Sequence, residues 1–191
     1  MTTPRILAFA GSARKDSYNA QLVRIAAEAA RKAGAEVTLL DMSDYPLPIF
    51  DEDLEREGTP ESATKLKQLF IEHDALLIAS PEYNSSITPL LKNTIDWVSR
   101  ADEGEAPLAA YSGKVASLIS ASPGGLGGLR GLVHVRAILS SIGVTVLPDQ
   151  IAVGRAFEAF NDDGGLQDEK QQSQVEAIAT NLVSTVAKLN N

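Results

Sequence analysis

The sequence predicts an α/β fold built on one parallel sheet with helices on both faces, and three observations predict it. Five short apolar runs recur along the chain: Ile6–Ala10, Val37–Leu40, Ala75–Ser80, Val115–Ser120 and Val144–Leu147. Between them lie stretches with helical spacing, about Ala20–Ala33, Pro60–His73, Pro89–Arg100 and Leu129–Ile142, and a last one near Asp168–Leu189. The runs are apolar throughout rather than alternating, which marks strands covered on both sides.

Each element follows from its own residues. Arg5 to Ala10 (RILAFA) reads as a buried strand. The helix from Ala20 places apolar residues at 22, 25, 26, 29, 30 and 33, and Gly34 stops it. Pro89 suits a first helical position. The longest irregular stretches are Met42–Thr59 and Gly154–Gly165, rich in Asp, Pro, Gly or Phe. No linker or repeat divides the 191 residues, so residues 1–191 are one domain. Strand–helix units of this number and length suit a flavodoxin-like, doubly wound, five-stranded sheet of order 2-1-3-4-5. Ligands of such a sheet sit beyond the carboxyl ends of the strands.

Composition excludes several classes. A 44 % hydrophobic content describes a globular chain, and no apolar run approaches a membrane span. The start, MTTPR, leads straight into a strand and leaves no room for a signal peptide. The absence of Cys removes disulfides, cysteine nucleophiles and thiolate metal sites, and is compatible with the cytoplasm. A net charge of −8 with scattered basic residues argues against nucleic acid or anionic membrane as partner. An anionic ligand must therefore be held locally.

The turn Gly11-Ser12-Ala13-Arg14-Lys15-Asp16-Ser17-Tyr18-Asn19 offers such a place. A strand-to-helix turn leaves backbone N–H groups unpaired at the positive end of a helix, which suits a phosphate. Ser and Asn add neutral donors, and Arg14 adds a charged fork. The spacing fits neither a Walker A loop nor the dinucleotide fingerprint, so a terminal monophosphate is the better match. The same residue types also open an ordinary helix.

The third strand passes into Pro81-Glu82-Tyr83-Asn84-Ser85, at the same sheet edge in this topology. Pro81 and Tyr83 can wall a flat heteroaromatic ring, and Asn84 with its backbone can supply donors; singly, these residues also make a loop aromatic and a turn. The chain resembles the NADPH-dependent FMN reductases, a flavodoxin-like family that includes bacterial quinone, azo-dye and chromate reductases. The matching pieces are GSARKDSYN at 11–19, PEYN at 81–84, LKNTIDWVSR at 91–100 and SPGGLGG at 122–128, in the family's order and spacing.

That resemblance implies an FMN-dependent NAD(P)H oxidoreductase. The FMN phosphate falls to Ser12, Arg14, Ser17 and Asn19, with Tyr18 beside them and the intervening amides. Pro81, Glu82, Tyr83 and Asn84, with Ser85, line the ribityl chain and ring, and Ser122 and Gly124 form the third loop, where glycine lets backbone approach a ring closely. Gly127 and Gly128 open the next helix, and residues 156–166 look like the family's late loop. NADPH or NADH is the co-substrate, and a small-molecule acceptor (a quinone, azo dye, free flavin or oxidised metal) is reduced in ping-pong order. The flavin carries the chemistry, so no catalytic side chain and no metal is assigned. A homodimer or homotetramer with flavin at a subunit interface is also implied, and Leu91, Trp97 and Val98 give apolar bulk for it. A flavodoxin-type electron carrier and a flavin-poor, non-enzymatic homologue are the alternatives. One departure stands out: Thr88-Pro89 replaces the family's Pro-Gly pair before Leu-Lys-Asn, and is expected to alter the substrate face.

The other chemistry-bearing residues read as structural. His73 and His134 stand near no ligand pair or triad, and no serine has a histidine partner by motif. Asp51, Glu52 and Asp53 have the chemistry to cap a helix or bind a cation, but read first as a solvated acidic loop. Trp97 reads as core or subunit contact, and Glu82 as a positioning group rather than an acid.

Overall fold

The computed structural model describes residues 2–190. In chain order the elements are β1 (Arg5–Ala10), α1 (Tyr18–Lys32), β2 (Glu36–Leu40), a 3-10 turn (Met42–Asp44), α2 (Glu52–Glu57), α3 (Glu61–Glu72) and β3 (Ala75–Ala79). There follow β4 (Glu82–Tyr83), β5 (Ser86–Ile87), α4 (Pro89–Val98), β6 (Val115–Ala121), α5 (Leu129–Ser141), β7 (Thr145–Val153), α6 (Ala156–Ala159) and α7 (Glu169–Leu189). The main sheet runs β2-β1-β3-β6-β7 with every pair parallel, which is the expected order.

Alternation along the strands explains the two layers. Ile6, Ala8 and Ala10 point to one side, where α1 and α7 pack; Leu7 and Phe9 point to the other, toward α3, α4 and α5. The first side is alanine-rich on both surfaces (Ala8, Ala75 and Ala79 against Ala26, Ala27 and Ala30), so the helices lie close. The second side is filled by larger groups, with Phe9, Phe70 and Tyr111 in an aromatic row.

Three expectations are corrected. The fifth strand is Thr145–Val153 rather than Val144–Leu147. Its register against β6 shifts between Ala116 and Leu118, and this irregularity at the sheet edge accommodates Pro148, which has no N–H to give. The acidic cluster is not merely a solvated loop: Asp51 Oδ1 accepts from the amides of Asp53 and Leu54 and caps α2. The apolar bulk of α4 does not face outward. Leu91, Trp97 and Val98 are buried in the chain's own core, and the Trp97 indole donates to Pro48 O at 2.8 Å.

Candidate active site

Loop 1, residues 11–17, is held at its two ends and open between them. Gly11 N donates to Ala79 O, and Ser17 caps α1 by accepting from Ala20 N at 3.3 Å. Ser12 Oγ accepts from Arg14 N at 3.2 Å, folding the turn on itself. Among the described residues no group pairs with the amides of Ser12, Ala13, Lys15 or Asp16, so they stand available beside the start of α1. Arg14 is exposed, and its guanidinium carbon lies 5.5 Å from the Tyr18 ring centroid. Tyr18 in turn stacks on Phe160, centroids 6.1 Å apart.

Asn19 is placed differently from a free phosphate donor. Its buried amide donates to Ala121 O at 2.7 Å and accepts from Ala121 N at 3.0 Å. It therefore straps the first turn of α1, directly after loop 1, to the carboxyl end of β6. Such a two-way bond satisfies the last strand residue before the third loop.

The second wall is a hairpin. β4 and β5 pair antiparallel, Glu82 with Ile87 and Tyr83 with Ser86. Asn84 and Ser85 form its two-residue tip, both with positive φ (50° and 67°), as a type I′ turn demands. The tight turn leaves the Tyr83 ring half exposed (54 %), while Pro81 is buried. Glu82 sets its carboxylate onto α5. It accepts from Arg130 Nε at 2.9 Å, Arg130 Nη2 at 2.6 Å and Gly131 N at 3.0 Å. Burial tends to raise its pKa, but the Gly131 amide and the Arg130 charge outweigh burial and hold it below the usual glutamate value. Glu82 is thus ionised and engaged.

The third wall is the loop after β6. Ser122 Oγ accepts from Gly124 N at 3.1 Å. Gly127 and Gly128 serve the chain's own packing rather than approach to a ring. A Cβ on Gly127 would stand 2.5 Å from the Ala152 carbonyl carbon, and one on Gly128 would stand 2.0 Å from Ser120 Oγ. Both also have positive φ.

Together these walls enclose an open cleft of about 370 Å³ at the carboxyl ends of β1, β3 and β6. It brings together Ser12, Arg14, Ser17, Tyr18, Asn19, Pro81, Glu82, Tyr83 and Ser122. Asn84, Ser85 and Gly124 are not among its lining residues; the first two sit at the hairpin tip. Ala121 and Pro123 line it without having been singled out from the sequence, although Pro123 stood in the quoted SPGGLGG piece. The cleft has a flat aromatic and proline surface, neutral hydroxyls, and free amides with one guanidinium at one end. A planar ring carrying a phosphate tail fits this donor set.

Thr88, the departure noted above, is built into the same edge. Its hydroxyl donates to Gly11 O at 2.6 Å and accepts from Leu91 N at 3.1 Å, so it caps α4 and ties it to loop 1. Asn93 donates to Pro48 O and accepts from Phe50 N, and fastens the segment before α2 to α4. Sequence reasoning noted Thr88 only as a departure and did not single out Asn93, because Gly11 O, Phe50 N and Pro48 O lie far from them in the chain.

Comparison with known proteins places the chain among flavin reductases. The family described as NADPH-dependent FMN reductase matches residues 4–158. An NAD(P)H:quinone oxidoreductase of Solanum tuberosum is 36 % identical over 191 aligned residues, covering 97 % of this chain and 94 % of the relative. An NAD(P)H-dependent FMN reductase of Pseudomonas aeruginosa is 34 % identical, covering 91 % and 92 %. Among solved structures, the flavoenzyme NAD(P)H:(acceptor) oxidoreductase FerB of Paracoccus denitrificans superposes with a TM-score of 0.83 at 30 % identity, covering 97 % and 98 %. With the predicted strand order and this similarity along nearly its whole length, the chain belongs to the NADPH-dependent FMN reductase family of oxidoreductases.

Proposed function

We propose that the cleft holds FMN and that NAD(P)H and a small oxidised acceptor take turns at the same opening. The observation that carries this reading is the set of unpaired loop 1 amides at the N-terminus of α1, in a cleft whose opposite end is walled by Pro81, Tyr83 and Pro123. Bound FMN would supply the redox chemistry, taking hydride from NAD(P)H and returning two electrons to a quinone, azo dye, free flavin or oxidised metal species.

The chain's own residues place and shield. The Ser12 and Ser17 hydroxyls, the free amides and Arg14 hold the phosphate. Asn19 keeps loop 1 and the Ser122 loop in register, and Tyr83 with Pro81 covers one side of the ring. Glu82 supplies no proton, because both its oxygens are engaged; it fixes the hairpin. Backbone amides near the ring would stabilise the negative charge that reduction develops.

A homodimer or homotetramer completes this reading. Leu126, just before α5, and Leu129 and Val133 on α5 stand exposed and give apolar surface for a second copy. Among the described residues no helix is long and apolar enough to cross a membrane, and we place the reaction in the cytoplasm.

Anaerobic stopped-flow mixing of the FMN-loaded protein with NADPH tests the reading. Bleaching of the flavin band, followed by recovery on adding a quinone, is expected. A flavin band unchanged at millimolar NADPH would instead point to an electron carrier, and protein that never saturates with FMN would end the proposal.

A further inference from the structure

We propose that a second hollow, on the far side of loop 1, binds the adenosine 2′-phosphate end of NADPH; this rests on the flavin reading above. The hollow measures about 530 Å³ and lies between α1, the end of β2 and the 3-10 turn. Ser12 and Arg14 line it as well as the flavin cleft, so the two openings share one ridge. An elongated co-substrate can therefore cross from one to the other.

Its chemistry is that of a nucleotide seat. The floor is apolar, made by the buried Val23, Leu40 and Met42, and suits a flat base. The rim carries Arg14, Lys15 and Arg24. Among the described residues none of these three cations has an ion pair, whereas Arg31, Arg56, Lys65, Lys67, Lys92, Arg100, Arg130 and Arg155 all do. Three unpaired cations around one hollow stand against a net charge of −8. With Arg14 assigned to the flavin phosphate, Lys15 and Arg24 remain to neutralise a second dianion.

One carboxylate shares the rim. Asp41, at the carboxyl end of β2, accepts from Ser43 Oγ at 2.7 Å and Ser43 N at 2.9 Å. The Ser43 hydroxyl and amide, with a smaller contribution from Arg24, keep it ionised below the usual aspartate range. A carboxylate there weakens a phosphate's hold without abolishing it, so Asp41 sets how strongly the 2′-phosphate is preferred to a 2′-hydroxyl.

Adenosine 2′,5′-bisphosphate, which lacks a nicotinamide, is the probe, and calorimetry on FMN-loaded protein is the readout. Saturable binding to the wild type is expected. Combining Lys15→Ala with Arg24→Ala should weaken it by about tenfold or more, and Asp41→Asn should tighten it. Arg24→Ala alone should raise the KM for NADPH while the KM for NADH and the FMN dissociation constant stay within about twofold. No saturation on the wild type, or affinity unmoved in the double variant, would overturn the inference. Bisphosphate held through Lys15 and Arg24 by a protein that binds no FMN would overturn the flavin reading alone.

Discussion

Arg14 is the residue on which most of the proposed phosphate affinity rests. It lacks an ion-pair partner among the described residues and is braced only by the Tyr18 ring, so a dianion gains a charge-assisted bond without displacing another. Arg14→Ala should weaken FMN binding by about 1.5–3 kcal/mol, measured by fluorescence quenching, while the melting temperature stays near that of the wild type. Thr88 makes the opposite prediction, because its hydroxyl is buried and used twice. Thr88→Val keeps the shape, leaves Gly11 O and Leu91 N unsatisfied, and should lower stability by about 2 kcal/mol in denaturant titration. Residue-level roles were legible where chemistry is local, as in the helix-opening residue types of loop 1 and in Asn84 as a turn former. They were not legible where the partner lies tens of positions away. Nothing near Glu82 announces Arg130, and nothing near Asn19 announces Ala121.

The elements follow the hydrophobic pattern closely, and the exceptions have physical reasons. Helix α2 was hidden because Glu52–Glu57 has no apolar face: none of its residues is buried, and it rests on the Asp51 cap. Strand β7 was cut short because Pro148, Asp149 and Gln150 interrupt its apolar run, yet the register shift lets pairing resume from Gln150. The β4–β5 hairpin is held to α5 by the Glu82 ion pair, and the loop after α4 by Lys67, which meets both Asp102 and Glu105. Glu82 sits below its ordinary pKa because the Gly131 amide and Arg130 outweigh burial, and Glu105 because Lys67 and the Asp102 amide bond to it. A carboxylate depressed on folding stabilises fully above its unfolded pKa and loses that contribution as pH falls through the folded value. Melting temperature should therefore decline on acidification below the ordinary glutamate range, and Glu82→Gln should flatten that acid limb.

At the scale of the molecule, the strand order and two-sided core followed from five apolar runs, and the sheet edge bearing the cleft followed from that order. What lay beyond single-chain patterning was which apolar surface remains outside. The bulk on α4 turned inward, whereas Val133 on α5 is 59 % exposed. Gel filtration at low micromolar concentration should return a species of at least twice 20.3 kDa, and Val133→Glu should shift it toward the monomer.

The strap from Asn19 to Ala121 turns one peptide N–H into a reporter. Its proton exchanges with deuterated solvent only when loop 1 and the glycine-rich turn part. Filling the phosphate end with FMN should therefore slow exchange at Ala121, although that amide lies on a different strand from the residues that grip the anion. Asn19→Ala should leave the same proton fast whether or not the nucleotide is present.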